Sequence, residues 1–575
     1  MGAIVDAYNS HLTCWRRQRA LRRWPAGFTQ WPATPGTAAL PTTRTLFLLL
    51  LAGALCLPVL GIATFWLQWD AASAQILREM AATVLPGYLG TTLALALLAG
   101  AGVIAVGVPA ALLVTAFDFP GRRSFEWLLL LPLAMPAYVT AYAYTDFLQF
   151  AGPLQTWLRA GFGLEGRLLP EVRSLWGAVW VFSFTLYPYV YLLTRTALAE
   201  RASQLMEAAR LLGAPLGRRL REVALPLARP AIAAGTALAL MEVLADYGVV
   251  SYFGIQSFTA GVYKAWLAMD NRAAAAQLAT LLLALVLLLL WLEQRARRRL
   301  RFAGSAAARA SADEARPIRV KGWRCALAWG LCLAPVLFGF VLPVLFMLRP
   351  LAADWTVLPW DRFWQWAGNS VRLGAITAAL GVLAALVLAF SARRAPGAVT
   401  RGVLQLASLG YAIPGAVVVV GLLLPVGWLQ ARWPGLQAGY WFTATALGLV
   451  WAYLVRFVAV ALQSVQSGYA RIPASLDDAA RTLGADGWQL AARVHAPLLR
   501  RAGLAAALLV FVDVMKELPA TLVLRPFDSD TLAVVAYQLA RDERLGEAAL
   551  PSLALVLVGL LPVVWLSRAL RVAPR

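Results

Sequence analysis

Twelve apolar runs of about twenty residues each constrain this chain more than anything else in it. They lie near residues 45–67, 89–117, 125–149, 174–195, 229–251 and 274–292, then near 325–348, 369–391, 402–428, 439–463, 501–524 and 546–567. A helix of about twenty residues crosses the hydrocarbon core of a bilayer. Inside lipid the backbone must satisfy its own hydrogen bonds, and within one segment only a helix does so. The expected fold class is therefore all-α and polytopic, with about 12 transmembrane helices. The runs near 229 and 501 carry acids well inside them, whereas others such as Glu126 and Asp146 lie nearer the ends of a run. With 61% apolar and 14% charged residues, the chain cannot be an ordinary soluble protein.

The net charge of +22 could point to nucleic acid, but its distribution argues otherwise. More than two thirds of the 51 lysines and arginines fall in segments 1–44, 118–123, 195–229, 293–324, 393–401, 464–501 and 568–575. Counted along the spans, all of these lie on one side. The positive-inside rule then places both termini and the linker 293–324 in the cytoplasm, and no nucleic-acid partner is expected. Residues 1–44, with Arg16, Arg17, Arg19, Arg22 and Arg23, are too long and irregular for a cleaved signal and read as a basic cytoplasmic tail. The four cysteines, Cys14, Cys56, Cys325 and Cys332, form no paired motif, and the only histidines are His11 and His495. No stably bound metal and no cofactor are expected in this chain. No Gly-Lys dipeptide occurs, so no phosphate loop does either, and no catalytic residue is expected.

One short polar stretch occurs twice. Glu207-Ala-Ala-Arg-Leu-Leu-Gly213 returns 271 residues later as Asp478-Ala-Ala-Arg-Thr-Leu-Gly484, and each copy runs on to a proline, Pro226 and Pro497. A repeat at that offset means two homologous halves. The boundaries expected are a tail 1–44, a first half 45–292 with its motif loop at 196–228, a linker 293–324, and a second half 325–575 with its motif loop at 464–500. Each half holds six spans, so both insert with the same orientation and are expected to be related by a pseudo-two-fold axis along the membrane normal. Each copy reads as a short helix with an acid and two small alanines, closed by a glycine C-cap. Small residues let a partner approach closely.

The span after each copy holds two acids. The offset aligns Glu242 with Asp513 and Asp246 with Glu517. Acids four apart are expected on one helix face. Charges inside a membrane cost roughly 2.5–3.5 kcal/mol each on insertion scales, so they mark pathways by default. Glu242 is 13 residues past Arg229, roughly 20 Å along a helix and past the bilayer middle. Two such pairs would line a cation route, since hard cations take oxygen ligands. The competing reading is structural, with the acids paired to Lys516 and Arg525.

The two motif copies resemble the EAA motif of permease subunits of bacterial binding-protein-dependent ABC importers. The second departs from it at Asp478 and Ala496. The stretches Met241-Glu-Val-Leu-Ala-Asp-Tyr-Gly248 and Asp513-Val-Met-Lys-Glu-Leu-Pro-Ala-Thr-Leu522 resemble the ferric-iron permeases of that superfamily, and the likeness covers most of both halves. The resemblance implies an inner-membrane permease importing Fe(III) from a periplasmic iron-binding protein. Two copies of a cytoplasmic ATP-binding subunit, which brings ATP and Mg, would dock on Glu207, Ala208, Ala209 and Gly213 and on Asp478, Ala479, Ala480 and Gly484. Related permeases carry thiamine, polyamines or phosphonates. The rivals from other classes are an ion-coupled secondary transporter and a membrane scaffold.

Overall fold

The computed structural model describes residues 43–199, 203–301, 318–353, 355–356, 358–395 and 397–571. The basic tail up to residue 42 and the middle of the linker, 302–317, lie outside these residues. Two compact units make up the chain. Met1–Phe47 is described only from residue 43, where a helix begins, and Leu48–Arg575 holds all that follows.

Among the described residues, ten helices are long and apolar enough to cross a bilayer. A pair bent by 87°, Arg122–Ala134 with Ala137–Phe162, makes an eleventh. The twelfth expected place holds the helix Ala496–Lys516, whose Arg500, Arg501, Asp513 and Lys516 make it too charged to qualify on hydropathy. The all-α expectation stands. The only described strands are two-residue segments, Phe117–Asp118 and Ile318–Arg319, paired in parallel. They fasten the end of the linker to a loop of the first half, helped by the Trp329 indole donating to the Pro120 carbonyl at 2.8 Å.

Four of the expected spans are broken. The run at 125–149 bends after a one-turn helix, Leu131–Ala134, at Met135 and Pro136. The run at 402–428 bends after Gly410–Ala412 at Ile413 and Pro414, which divides it into Ala398–Leu409 and Gly415–Arg432. The cause is the same in both. Proline crowds the preceding residue out of the helical region, and Met135 (ψ 122°) and Ile413 (ψ 120°) are extended. The other two breaks fall in the acid-bearing spans. The first acid helix, Leu225–Ala245, stops at Asp246, and the second, Ala496–Lys516, stops at Glu517. Short helices follow, Gly248–Tyr252 and Pro519–Leu524, then Phe258–Tyr263 and Leu532–Arg541. Irregular backbone is tolerable at membrane depth only when protein covers it. Tyr142, Val249, Ala520 and Val534, on these fragments, are all fully buried.

The first span of each half packs on the other half. Gly61 and Pro58 lie directly against Gly421, where neither glycine leaves room for a side chain, and Trp451 donates its indole N–H to the Ala54 carbonyl at 2.9 Å. In return Phe346, on Leu342–Ala353, stacks on Phe147 at 3.9 Å, and Tyr144 donates to the Phe338 carbonyl at 2.6 Å. Small residues at the crossing allow close backbone approach, the usual way membrane helices gain packing energy.

Candidate functional site

The breaks converge. A cavity of about 190 Å3 is lined by all four acids, Glu242, Asp246, Asp513 and Glu517. Its wall also includes Arg456, Lys516 and three tyrosines, Tyr138, Tyr189 and Tyr411. The proline bends supply Met135, Pro136 and Tyr411, while Leu175–Ala197 supplies Tyr189.

Within each pair the two acids do different work. The expectation that they share one helix face is corrected, because the helix ends between them. Asp246 and Glu517 are the first residues past the helical segment, with extended backbone (ψ 133° and 120°). Each caps the next short helix. Asp246 accepts from the Val249 N–H at 2.8 Å. Glu517 accepts from the N–H groups of Ala520 (2.9 Å) and Thr521 (3.0 Å) and from the Thr521 hydroxyl (2.6 Å). A broken helix leaves N–H groups without carbonyl partners, and these carboxylates take them.

Glu242 and Asp513 remain on their helices, with side chains half-buried at the cavity. Glu242 accepts a hydrogen bond from the Tyr411 hydroxyl at 2.6 Å, across the two halves. Asp513 has neither hydrogen bond nor ion pair among the described residues. The ion-pair partners expected from sequence are also corrected. Glu517 pairs with Arg456 at 2.7 Å, with both side chains almost fully buried. Arg525 pairs with Asp530 instead. Lys516 donates to the Leu133 carbonyl at 2.8 Å, on the first proline bend. Sequence reasoning missed Arg456, Tyr189, Tyr411 and Tyr138. For Arg456 a signal existed, since it is the only charge in the helix Ala446–Tyr469. The tyrosines carry no such mark.

The two motif copies fold alike. Glu207, Ala208 and Ala209 sit on the helix Ser203–Leu211, and Asp478, Ala479 and Ala480 on the helix Ala474–Thr482. In both, the acid and first alanine are exposed and the second alanine is half-buried. Gly213 (φ 80°) and Gly484 (φ 83°) are left-handed. The N–H of Ala214 bonds back to Ala209, that of Gly213 to Arg210, and the second copy repeats both bonds from Ala485 and Gly484. This is the glycine C-cap geometry expected of the pattern. Just before each capping glycine, Leu212 and Leu483 are 87% and 88% exposed, so each copy carries an apolar tip at its surface. The motif loops rejoin the membrane through wide π turns, Leu220–Ala224 and Leu490–His495, just before Pro226 and Pro497.

The copies differ in their anchors. Arg393 forks onto Asp477 at 2.6 and 2.9 Å and also donates to the Ile472 and Pro473 carbonyls. His495, buried, lies 3.0 Å from Asp477. The Arg393 hydrogen bonds hold the Asp477 carboxyl below its ordinary pKa of 3.8. At the corresponding place of the first copy Met206 packs against an apolar cluster that includes Leu198 and Ala224.

Fold and site together define a polytopic helical membrane protein with a polar cavity where its halves meet and two exposed motif helices. The chain belongs to the family of binding-protein-dependent transport system inner membrane components, whose pattern matches residues 103–302. Over 539 residues it is 24% identical to the Fe(3+)-transport system permease protein FbpB 2 of Haemophilus influenzae, covering 92% of this chain and 98% of that one. It is 31% identical over 220 residues to a probable molybdenum ABC transporter permease of Haloferax volcanii, which is 37% of this chain and 75% of that one. To the sulfate transport system permease protein CysW of Escherichia coli K12 it is 34% identical over 160 residues, 28% of this chain and 53% of that one.

Proposed function

We propose that this permease carries ferric iron inward, taking it from a periplasmic iron-binding protein, in an importer driven by two copies of a cytoplasmic ATP-binding subunit. The motif helices dock those subunits through Glu207–Gly213 and Asp478–Gly484, which places both termini and the linker in the cytoplasm. The halves, 45–292 and 325–575, would be related by a pseudo-two-fold axis along the membrane normal. ATP hydrolysis and its Mg belong to the partner subunit, and this chain contributes no catalytic residue.

One observation carries the cargo assignment. Glu242 and Asp513 meet in one cavity whose lining sets four carboxylates, Glu242, Asp246, Asp513 and Glu517, against two cations, Arg456 and Lys516. A cavity of that balance suits a hard cation and disfavours an oxyanion such as the sulfate named for one relative. The likeness to the Fe(3+) permease over nearly its full length adds to this. A polyamine, also cationic, is the second reading that the same carboxylates favour.

The test is uptake of labelled Fe(III) by the complete importer in proteoliposomes. Glu242→Gln with Asp513→Asn should lower the initial rate by at least about tenfold, the loss of a little over 1 kcal/mol of barrier-lowering interaction, with normal folding and ATPase binding. A wild-type rate in that double variant would assign both acids to structure. Uptake of labelled spermidine but not iron by the unmodified importer would replace iron with a polyamine.

A further inference from the structure

Outward from the cavity, away from the motif helices, runs a file of phenols. Tyr138 lines the cavity, and its hydroxyl faces the Lys516 carbonyl at 3.2 Å. Tyr142 stands one helical turn further along Ala137–Leu148, its ring 5.7 Å from that of Tyr138. Tyr252, at the end of the short helix Gly248–Tyr252, meets Tyr142 edge-on at 4.7 Å. The Tyr252 hydroxyl accepts from Arg173 at 3.3 Å, and Arg173 pairs with the exposed Glu543 of the other half at 3.2 Å. The two helices approach closely only because residue 248 is glycine, where a Cβ would sit 2.6 Å from that of Tyr138. A row of three tyrosine rings in contact thus runs from beside the exposed Glu543 carboxylate to the acid cavity.

Tyr142 breaks the rule that buried polar groups are satisfied. It is fully buried, and among the described residues its hydroxyl has no hydrogen-bond partner. Tyr138 and Tyr252 on either side both have one. An unmet buried hydroxyl destabilises the fold, and phenylalanine would fill the same volume without that cost. Packing alone therefore gives no reason for this oxygen.

We infer that the Tyr142 hydroxyl is a transit ligand for the cation, taking it between the outer mouth at Arg173 and Glu543 and the carboxylates of Glu242 and Asp513. This rests on the cation reading above. A neutral phenol is a hard oxygen donor, suited to a hard cation that has shed water. Three such phenols, with neighbouring rings 5.7 and 4.7 Å apart, offer successive weak sites, and passage requires sites that release as readily as they bind. On this reading the passing ion is the partner that the middle oxygen lacks among the described residues.

The experiment uses the whole importer in proteoliposomes, with labelled Fe(III) delivered on the binding protein. Tyr142→Phe should leave the melting temperature unchanged or raised and binding-protein-stimulated ATPase intact. It should lower the uptake rate by about fivefold, the scale of one lost polar contact. Tyr144→Phe is the control, since the Tyr144 hydroxyl makes a structural bond to the Phe338 carbonyl off this row. It should lower the melting temperature and leave uptake per folded importer unchanged. Iron uptake by Tyr142→Phe at the wild-type rate overturns the inference and leaves the cation assignment standing. A lowered melting temperature in Tyr142→Phe also overturns it, by showing the hydroxyl bonded in the folded protein. Failure of the unmodified importer to move iron would instead remove the cargo assignment on which the inference rests.

Discussion

The Arg456–Glu517 pair offers the sharpest energetic test. Arg456 is 8% exposed and Glu517 4%. Replacing Arg456 with Met keeps volume but leaves the carboxylate buried without its cation. Breaking a buried pair from one side costs about 3–5 kcal/mol. Three donors stay on Glu517, from Ala520 N–H, Thr521 N–H and the Thr521 hydroxyl, so the low end applies, about 3 kcal/mol or roughly 150-fold in the folding equilibrium. Adding Glu517→Gln removes the stranded charge while an amide oxygen still accepts from the short helix. The double variant should lose only about 1–1.5 kcal/mol, the scale of one net hydrogen bond. The second substitution therefore restores stability that the first removes. Equilibrium unfolding in a detergent titration, followed by tryptophan emission, reads both values. Two results would refute the reasoning: Arg456→Met costing under about 1 kcal/mol, or a double variant no more stable than the single.

Gly213→Val with Gly484→Val should insert normally, because a Cβ at either position meets nothing within 4 Å, yet force valine into left-handed backbone at about 1–2 kcal/mol per site; ATPase activity should persist while uptake falls, and normal uptake would sink the coupling role. A cysteine at Lys321 in the linker should resist a membrane-impermeant thiol reagent in intact cells, whereas ready labelling would invert the orientation of every span. Asp477 has a folded-state pKa below its ordinary 3.8, so its contribution is complete above that value and disappears as pH falls through the lower folded one. A spin label at Thr482→Cys should accordingly gain mobility only under acid conditions, and Arg393→Met should make it mobile at neutral pH as well.

Sequence alone determined what depends on neighbours along the chain. Span positions follow from apolar length. The caps at Gly213 and Gly484 are legible because a left-handed turn needs only local residues, and the 271-residue repeat doubled the signal. The breaks at Met135-Pro136 and Ile413-Pro414 were equally local, and their prolines were available to be read. What only the tertiary structure decided concerns groups that meet from afar. Whether an acid caps, pairs or faces a cavity depends on partners such as Arg456, 61 residues from Glu517, and Tyr411, 169 from Glu242. Hydropathy counts Asp246 and Glu242 alike, but the helix ends between them, because one carboxylate gains more from the orphan N–H groups of the next helix than from another helical turn. That the four acids share one cavity depends on how the two halves pack, which no single stretch of sequence contains.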